Sequence, residues 1–189
     1  MKRSKLVIIE GPQGTGKTTL ANYLRDNMSG SNLYRLSGQK DKTQTGLNYS
    51  VTMYNALLDY LGVMQNIPMD IIFDRTFMTE EVYARLGYKE YSFTDMYNIL
   101  LDKLNHLNYD IYYFSLYLKN FNLYEQRLSR DSHHNYQAFS VQNSVDQQNM
   151  YLEICNELSK FNNIHVIKLE MDDFSPAYDK VKEILEIGC

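Results

Sequence analysis

A glycine-rich segment that follows a short apolar run most constrains the fold of this chain. The run Leu6–Ile9 is followed by glycines at positions 11, 14 and 16, and then by Lys17 and Thr18. The spacing Gly-x-x-x-x-Gly-Lys-Thr is typical of a loop whose backbone N–H groups surround a polyphosphate. Glycines let the backbone curl and leave no Cβ atoms in the way of the phosphates. The segment therefore predicts a phosphate-binding loop between a buried strand and a helix.

Two side chains of this segment and one beyond it supply chemistry that a polyphosphate site needs. Lys17 can reach the β- and γ-phosphates, and the Thr18 hydroxyl can ligate Mg²⁺. A second apolar run ends on Asp74, 57 positions after Lys17 (74 − 17). A carboxylate at a strand end beside the loop can hold Mg²⁺ through water or orient the attacking oxygen. The alternative role for Asp74 is to cap the next helix.

Short β-branched runs alternate with longer segments of helical periodicity along the chain. This alternation favours a parallel sheet with helices on both faces. The runs LVII and DIIF lack polar alternation, as expected of strands covered on both faces. No linker or repeat divides the sequence, so we expect one domain over residues 1–189. Strands are predicted at 5–10, 32–36, 69–74, 110–118 and 163–170, and helices at 17–28, 46–66, 79–86, 93–107, 123–130, 140–161 and 176–187.

Charge and composition exclude several classes of function. The net charge is −4, so nothing global indicates nucleic acid or a membrane surface, and any anion site is local. The cysteines, Cys155 and Cys189, form no disulfide framework or metal-binding spacing. No segment approaches the roughly 18 apolar residues of a membrane span. We therefore expect a cytoplasmic protein without a membrane partner or a stable nucleic-acid partner; a homodimer is compatible with the sequence.

An arginine directly follows the strand-end carboxylate. Arg75 lies at the predicted carboxyl edge of the sheet, where ligands of open α/β sheets bind. The planar fork of its guanidinium suits a second phosphate or a substrate carboxylate. The alternative is a surface ion pair with Glu80 or Glu81.

A second arginine pair occurs in LYEQRLSRD. The spacing of Arg127 and Arg130 places both on one face of a helix. Two adjacent cations repel each other unless something negative lies between them, and a phosphoryl group in transfer is such a group. The alternative is a solvated face paired with Glu125 and Asp131.

Three segments resemble the nucleoside and nucleotide kinases of the thymidylate kinase type. They are EGPQGTGKTTL, FDRTFMTEEVY and YLKNFNLYEQRLSRD. The second is similar to the family's strand-end Asp-Arg, followed by a hydroxyl residue (Thr79) and a small-then-aromatic pair (Val82, Tyr83). The third is similar to the family's fourth strand running into a mobile lid with clustered arginines. The order and spacing of these parts cover most of the chain, to about residue 158.

The resemblance implies an α/β P-loop kinase fold: a five-stranded parallel sheet of order 2-3-1-4-5, helices on both faces and a lid at about residues 120–140. It implies ATP and Mg²⁺ as cofactors, and a deoxynucleoside or its monophosphate, such as dTMP, as acceptor. The residues expected to bind ATP are Gly11, Gln13, Gly14, Thr15, Gly16, Lys17, Thr18 and Thr19. Those expected to bind the acceptor are Arg35, Arg75 and Tyr83. Catalytic roles are expected for Lys17, Asp74, Arg127 and Arg130, and metal binding for Thr18 and Asp74.

The chain also departs from the family pattern. Both branches of the family carry a carboxylate soon after the second strand, where this chain has Arg35, with Asp41 only later. That acid is missing or is supplied by Asp41 or Asp74. The following helix lacks the arginine of thymidylate kinases, and Asp74-Arg75-Thr76 stands where deoxynucleoside kinases have Glu-Arg-Ser.

These departures leave two alternatives to the nucleotide or nucleoside kinase. One is a P-loop kinase for another small acceptor or a polynucleotide end. The other is a non-catalytic nucleotide-binding switch. ATP turnover that depends on an acceptor distinguishes a kinase from a switch.

Overall fold

Residues 3–129 and 140–188, the part of the chain that the computed structural model describes, contain five strands, each followed by one or two of seven helices. The strands are β1 (Lys5–Glu10), β2 (Ser31–Arg35), β3 (Asp70–Asp74), β4 (Asp110–Tyr117) and β5 (Ile164–Glu170). The helices are α1 (Lys17–Asn27), α2 (Gln44–Met64), α3 (Phe77–Arg85), α4 (Thr94–Asn105), α5 (Asn122–Leu128), α6 (Val141–Leu158) and α7 (Phe174–Leu185). Among these helices, none combines the length and the apolar character that crossing a membrane requires.

The five strands form one parallel sheet of order β2-β3-β1-β4-β5. This confirms the strand order, the parallel pairing and the helices on both faces. The predicted strands agree with the observed ones to within one residue at each end, and the helices to within three. The agreement follows from the apolar runs, which mark strands buried on both faces.

The central strand β1 divides the apolar interior into two cores. Leu6 and Ile8 belong to the core beneath α2, α3, α4 and α6. Val7 and Ile9 belong to the core beneath α1, α5 and α7. All four side chains are buried because alternate residues of a strand point to opposite faces. At its start, the strand is also held by the Lys5 amide, which donates to the Asp70 carboxylate over 2.6 Å.

The carboxyl ends of the strands meet at one edge of the sheet. Ile9 of β1 pairs with Asp74 of β3, and Asp74 in turn pairs with Arg35 of β2. The glycine-rich loop leaves β1 at this edge and enters α1 at Lys17. The topology therefore brings the loop together with the Asp74-Arg75 segment.

Candidate active site

The glycine-rich loop has the backbone conformation that its glycines permit. Gly11, Gly14 and Gly16 have φ angles of 146°, 84° and 89°, a region that residues with a Cβ rarely adopt. A Cβ on Gly11 would lie 2.7 Å from the Leu116 carbonyl oxygen. A Cβ on Gly16 would lie 2.6 Å from the Phe174 ring. The loop is thus packed against β4 and α7, and both positions require glycine.

Lys17 lies buried at the start of α1, under the loop. Its ammonium donates to the Pro12 carbonyl oxygen over 2.6 Å. Burial, together with the charge of Arg75, lowers the pKa of Lys17 to about 7, although the charges of Asp74 and Glu10 act in the opposite direction. A polyphosphate in the loop would favour the charged form, because an anion nearby stabilises an ammonium.

The two predicted metal ligands are in contact. The Thr18 hydroxyl donates to Oδ2 of Asp74 over 2.8 Å. The carboxylate is buried, and its Oδ1 has no hydrogen-bond partner among the described residues. Thr76, not Asp74, caps α3, since its side chain accepts the Met78 amide. The capping alternative for Asp74 is therefore wrong.

This pair fits Mg²⁺ in its donor chemistry. Hydroxyl and carboxylate oxygens are the hard ligands that Mg²⁺ takes, and an orphaned buried carboxylate oxygen needs a partner of this kind. Residues 3–129 and 140–188 contain no cluster of three or more His, Cys, Asp or Glu side chains that could enclose a metal. Water and phosphate oxygens would complete the coordination, as is usual for Mg²⁺ bound with a nucleotide.

Arg75 turns from β3 back toward the glycine-rich loop. Its guanidinium donates to Oε1 of Gln13 over 3.0 Å, and its φ is 77°, in the left-handed region. The alternative of a pair with Glu80 or Glu81 is not what the structure shows. Glu80 contacts the Lys89 ammonium at 2.7 Å, and Glu81 contacts Arg85 at 2.7 Å.

A buried carboxylate that the sequence analysis did not single out lies between the loop and α3. Oε1 of Glu10 accepts the Thr76 amide at 2.6 Å and the Thr76 hydroxyl at 2.8 Å. Oε2 accepts the Thr79 hydroxyl at 2.6 Å, and that hydroxyl also shares a hydrogen bond with Tyr151 of α6. Burial raises the pKa of Glu10 to about 7, although the hydrogen bonds from Thr79 and Thr76 act in the opposite direction.

The raised pKa of Glu10 predicts a pH-dependent stability that Glu10→Gln should remove. Between pH 4.5 and about 7, the Glu10 side chain is ionised in the unfolded chain but protonated in the folded chain. The free energy of unfolding therefore falls as the pH rises. The full difference is of the order of 3 kcal/mol. Denaturant unfolding at pH 5, 6, 7 and 8 measures it. Plotted against pH, the free energy of unfolding of the wild type should decline relative to that of Glu10→Gln up to about pH 7, and the two curves should run parallel above it. Curves that are parallel at every pH would show that the pKa of Glu10 is not raised.

The stretch after β2 is held by a carboxylate of α3, Glu80, rather than by Asp41, the carboxylate within the stretch itself. The Gln39 amide donates to Oε2 of Glu80 over 3.0 Å, and the Tyr91 hydroxyl donates to Oε1 over 2.6 Å. Asp41 instead accepts the amide and hydroxyl of Thr43 in the turn that begins α2. Asp74 is therefore the carboxylate that contacts the start of α1, through Thr18, whereas Glu80 binds the stretch after β2.

Arg35 and Tyr83 flank the site from β2 and α3. Nε of Arg35 lies 4.0 Å from Oδ2 of Asp74, and the guanidinium donates to the Asn22 side chain. Tyr83 is half-buried, and its ring lies 5.6 Å from that of Tyr88. Arg35 thus adds a second cation beside Asp74, whereas Tyr83 stands further along α3.

The remaining loop residues take two kinds of position. Thr15 is buried, and its hydroxyl donates to the Pro12 carbonyl oxygen over 2.8 Å. Thr19 is exposed on the first turn of α1. Their predicted contacts with ATP stay predictions.

Arg127 on α5 reaches the back of the glycine-rich loop. Its guanidinium donates to the carbonyl oxygens of Gly14 at 3.2 Å and Met171 at 2.8 Å, and it lies 5.0 Å from the centre of the Phe174 ring. The guanidinium therefore connects the loop to the turn before α7. Arg130 and most of the predicted lid, residues 130–139, lie outside the described residues, so the predicted closure over a phosphoryl group stays a prediction.

Solved structures of known proteins share this fold. A thymidylate kinase from Candida albicans has a TM-score of 0.67 at 19% sequence identity, covering 97% of this chain and 92% of that chain. The YorR protein from Bacillus subtilis, in complex with phosphorylated GDP, has a TM-score of 0.62 at 18% identity, covering 96% and 95%. A deoxyadenosine kinase from M. mycoides with bound dCTP has a TM-score of 0.62 at 15% identity, covering 96% and 98%.

These likenesses show that the chain has the P-loop nucleotide kinase fold that its sequence predicts. At these identities they show the fold alone. No model of a protein family matches the sequence, and no curated protein matches it significantly.

Proposed function

We propose that the protein transfers the γ-phosphoryl group of ATP to a small nucleotide or nucleoside. The supporting observation is that Lys17, the Thr18–Asp74 pair and Arg75 converge at one edge of the sheet. A phosphate-binding loop, a pair of oxygen ligands and a second cation are the parts that phosphoryl transfer requires. A thymidylate kinase and a deoxyadenosine kinase share the fold, and this supports an acceptor of this class.

Each residue of the site has a separate role in the proposed reaction. The loop amides and Lys17 would bind the β- and γ-phosphates, and Thr18 and Asp74 would hold Mg²⁺, which would neutralise charge on the phosphate oxygens. An acceptor oxygen attacks the γ-phosphorus as the bond to the ADP oxygen breaks. Arg75, whose guanidinium contacts Gln13 of the loop, orients the acceptor. The protein's contribution is positioning and electrostatic stabilisation.

Two observations favour a nucleoside monophosphate, such as dTMP, over a nucleoside. First, Arg35 and Arg75 both flank Asp74, and a phosphate offers them a charge that a nucleoside lacks. Second, a nucleoside hydroxyl must lose its proton during attack, whereas a monophosphate, whose second pKa is about 6, is already ionised near neutral pH. Asp41, the carboxylate that follows β2, is engaged in a turn, and a monophosphate needs no such base.

Arg75→Ala tests the acceptor side of this proposal. Loss of a charged contact to a phosphate should raise KM for the monophosphate about tenfold or more, while KM for ATP changes little. Steady-state kinetics with each substrate varied in turn measure both constants. Arg25→Ala, an exposed arginine on α1, is the matched control. An equal rise in both KM values at unchanged kcat would remove the acceptor role.

The function itself is tested by a panel of acceptors. The protein is incubated with ATP, Mg²⁺ and each natural nucleoside, deoxynucleoside and monophosphate in turn, and ADP formation is recorded. We expect turnover with one or a few monophosphates and none when EDTA removes Mg²⁺. Turnover with nucleosides alone would make the protein a nucleoside kinase. ATP binding without acceptor-dependent turnover would make it a nucleotide-binding switch.

A further inference from the structure

We propose that Glu10 is a positioning residue for Arg75: its carboxylate holds the left-handed turn after β3 that directs the Arg75 guanidinium to the glycine-rich loop. This inference rests on the proposed function, because it assigns Glu10 to the acceptor half of that site. Glu10 does not contact the substrates in this role. It acts through Arg75.

The first support is the backbone of Arg75. A residue with a Cβ avoids a φ of 77° unless neighbouring contacts impose it. Here two consecutive residues of β1 bind the two consecutive amides of the turn. The Arg75 amide donates to the Ile9 carbonyl oxygen over 3.0 Å, and the Thr76 amide donates to Oε1 of Glu10 over 2.6 Å. The end of β1 therefore imposes the conformation at Arg75.

The second support is the first turn of α3. The Thr76 hydroxyl, which accepts the Met78 amide at the helix cap, donates to Oε1 of Glu10. The Thr79 hydroxyl donates to Oε2. One carboxylate thus fixes the turn and the start of the helix that follows it. With both held, the Arg75 guanidinium reaches Gln13 of the loop.

The third support is the isolation of this contact network from solvent. Glu10, Thr79 and Tyr151 are fully or almost fully buried, so water cannot replace a missing partner. A buried carboxylate is retained against its desolvation cost only where strong donors satisfy it. The donors of Glu10 come from the segment that carries Arg75, which is what a positioning role requires.

Two substitutions distinguish the effect of the Glu10 hydrogen bonds from the effect of the Glu10 charge. Glu10→Gln keeps an oxygen that accepts from Thr76, and its amide can donate to Thr79, whose hydroxyl then donates to Tyr151. Glu10→Ala removes every one of these contacts. A positioning role predicts that Gln retains function and Ala loses it.

The test is a double-mutant cycle with Arg75→Ala. In the wild-type background, Glu10→Ala should raise KM for the acceptor monophosphate about tenfold, as expected for loss of an oriented charged contact, with KM for ATP unchanged. Glu10→Gln should stay within about twofold of the wild type. In the Arg75→Ala background, Glu10→Ala should add less than a further twofold. An equal kinetic effect in both backgrounds, or a change in Tm alone, would overturn the proposal.

A milder variant covers the case in which Glu10→Ala does not fold. Thr79→Val is nearly isosteric and removes one of the three donors to Glu10. It should raise KM for the acceptor about threefold, the loss of a modest hydrogen bond, and this effect should vanish in the Arg75→Ala background. Persistence of the effect there would overturn the proposal equally.

A measurement without turnover separates this inference from the proposed function. Hydrogen exchange at the Thr76 amide should accelerate in Glu10→Ala or Thr79→Val and stay slow in Glu10→Gln, because the amide donates to the carboxylate. If the wild type turns over no acceptor, the proposed function is wrong, and the exchange rates still decide whether Glu10 holds the turn. Unchanged exchange in Glu10→Ala would show that it does not.

Discussion

Lys17→Ala is expected to lower kcat about a hundredfold or more, with a smaller effect on KM for ATP. The Lys17 ammonium is buried beneath the glycine-rich loop and donates to the Pro12 carbonyl oxygen. When the γ-phosphoryl group moves toward the acceptor, this charge can follow it and stabilise the transition state. Removing a charge that acts mainly in the transition state lowers kcat.

Steady-state kinetics on Lys17→Ala and on a matched lysine variant measure this effect. Lys180 on α7 is exposed, so Lys180→Ala controls for the loss of one positive charge. Thermal unfolding should show that Lys17→Ala stays folded, since the wild type buries an ammonium there at an energetic cost. Near-normal turnover in Lys17→Ala would remove the catalytic role of the loop lysine.

Asp74→Asn is expected to lower kcat by two to three orders of magnitude and to raise the Mg²⁺ concentration needed for half-maximal activity. An amide oxygen can still accept the Thr18 hydroxyl, so the local packing is kept while the charge is lost. A neutral oxygen binds Mg²⁺ more weakly than a carboxylate. The Asp74 Oδ1 atom, which has no partner in the described structure, would lose its function as a ligand or as the group that orients the attacking oxygen.

Magnesium titrations of activity at saturating ATP make this measurement. Asp70→Asn is the matched control, because Asp70 begins the same strand at the opposite edge of the sheet and its oxygen accepts the Lys5 amide. The control should keep the wild-type magnesium dependence. If Asp74→Asn behaved like Asp70→Asn, the proposed metal pair would be wrong.

The fold follows from local patterns in the sequence. The run Leu6–Ile9 has no polar residue, so it predicts a strand covered on both faces, and a parallel sheet provides that cover. The spacing of the glycines and Lys17 predicts the loop conformation. The order of the strands came with the family resemblance, and the observed sheet confirms it.

Much of the site could not be predicted because it depends on contacts between distant residues. Glu10 reads as the last residue of an apolar strand, and its donors lie 66 and 69 positions away. The left-handed backbone of Arg75 has no sequence signal, since such conformations are expected at glycine. The sequence offers Glu80 as a partner of Arg75, but in the fold it contacts Lys89, from the turn after α3.

The uniform apolar character of β1 has a consequence for how the chain finds its correct pairing. With both faces of the sheet covered, a slip of the strand by one residue would still place apolar side chains on each side, so hydrophobic burial alone cannot reject it. Rejection must come from the polar groups at the two ends. A slipped strand would take the Lys5 amide from Asp70 and leave the Glu10 carboxylate in the interior without its three donors. The Glu10 carboxylate, which we propose directs Arg75, therefore also disfavours incorrect register of β1 in the sheet.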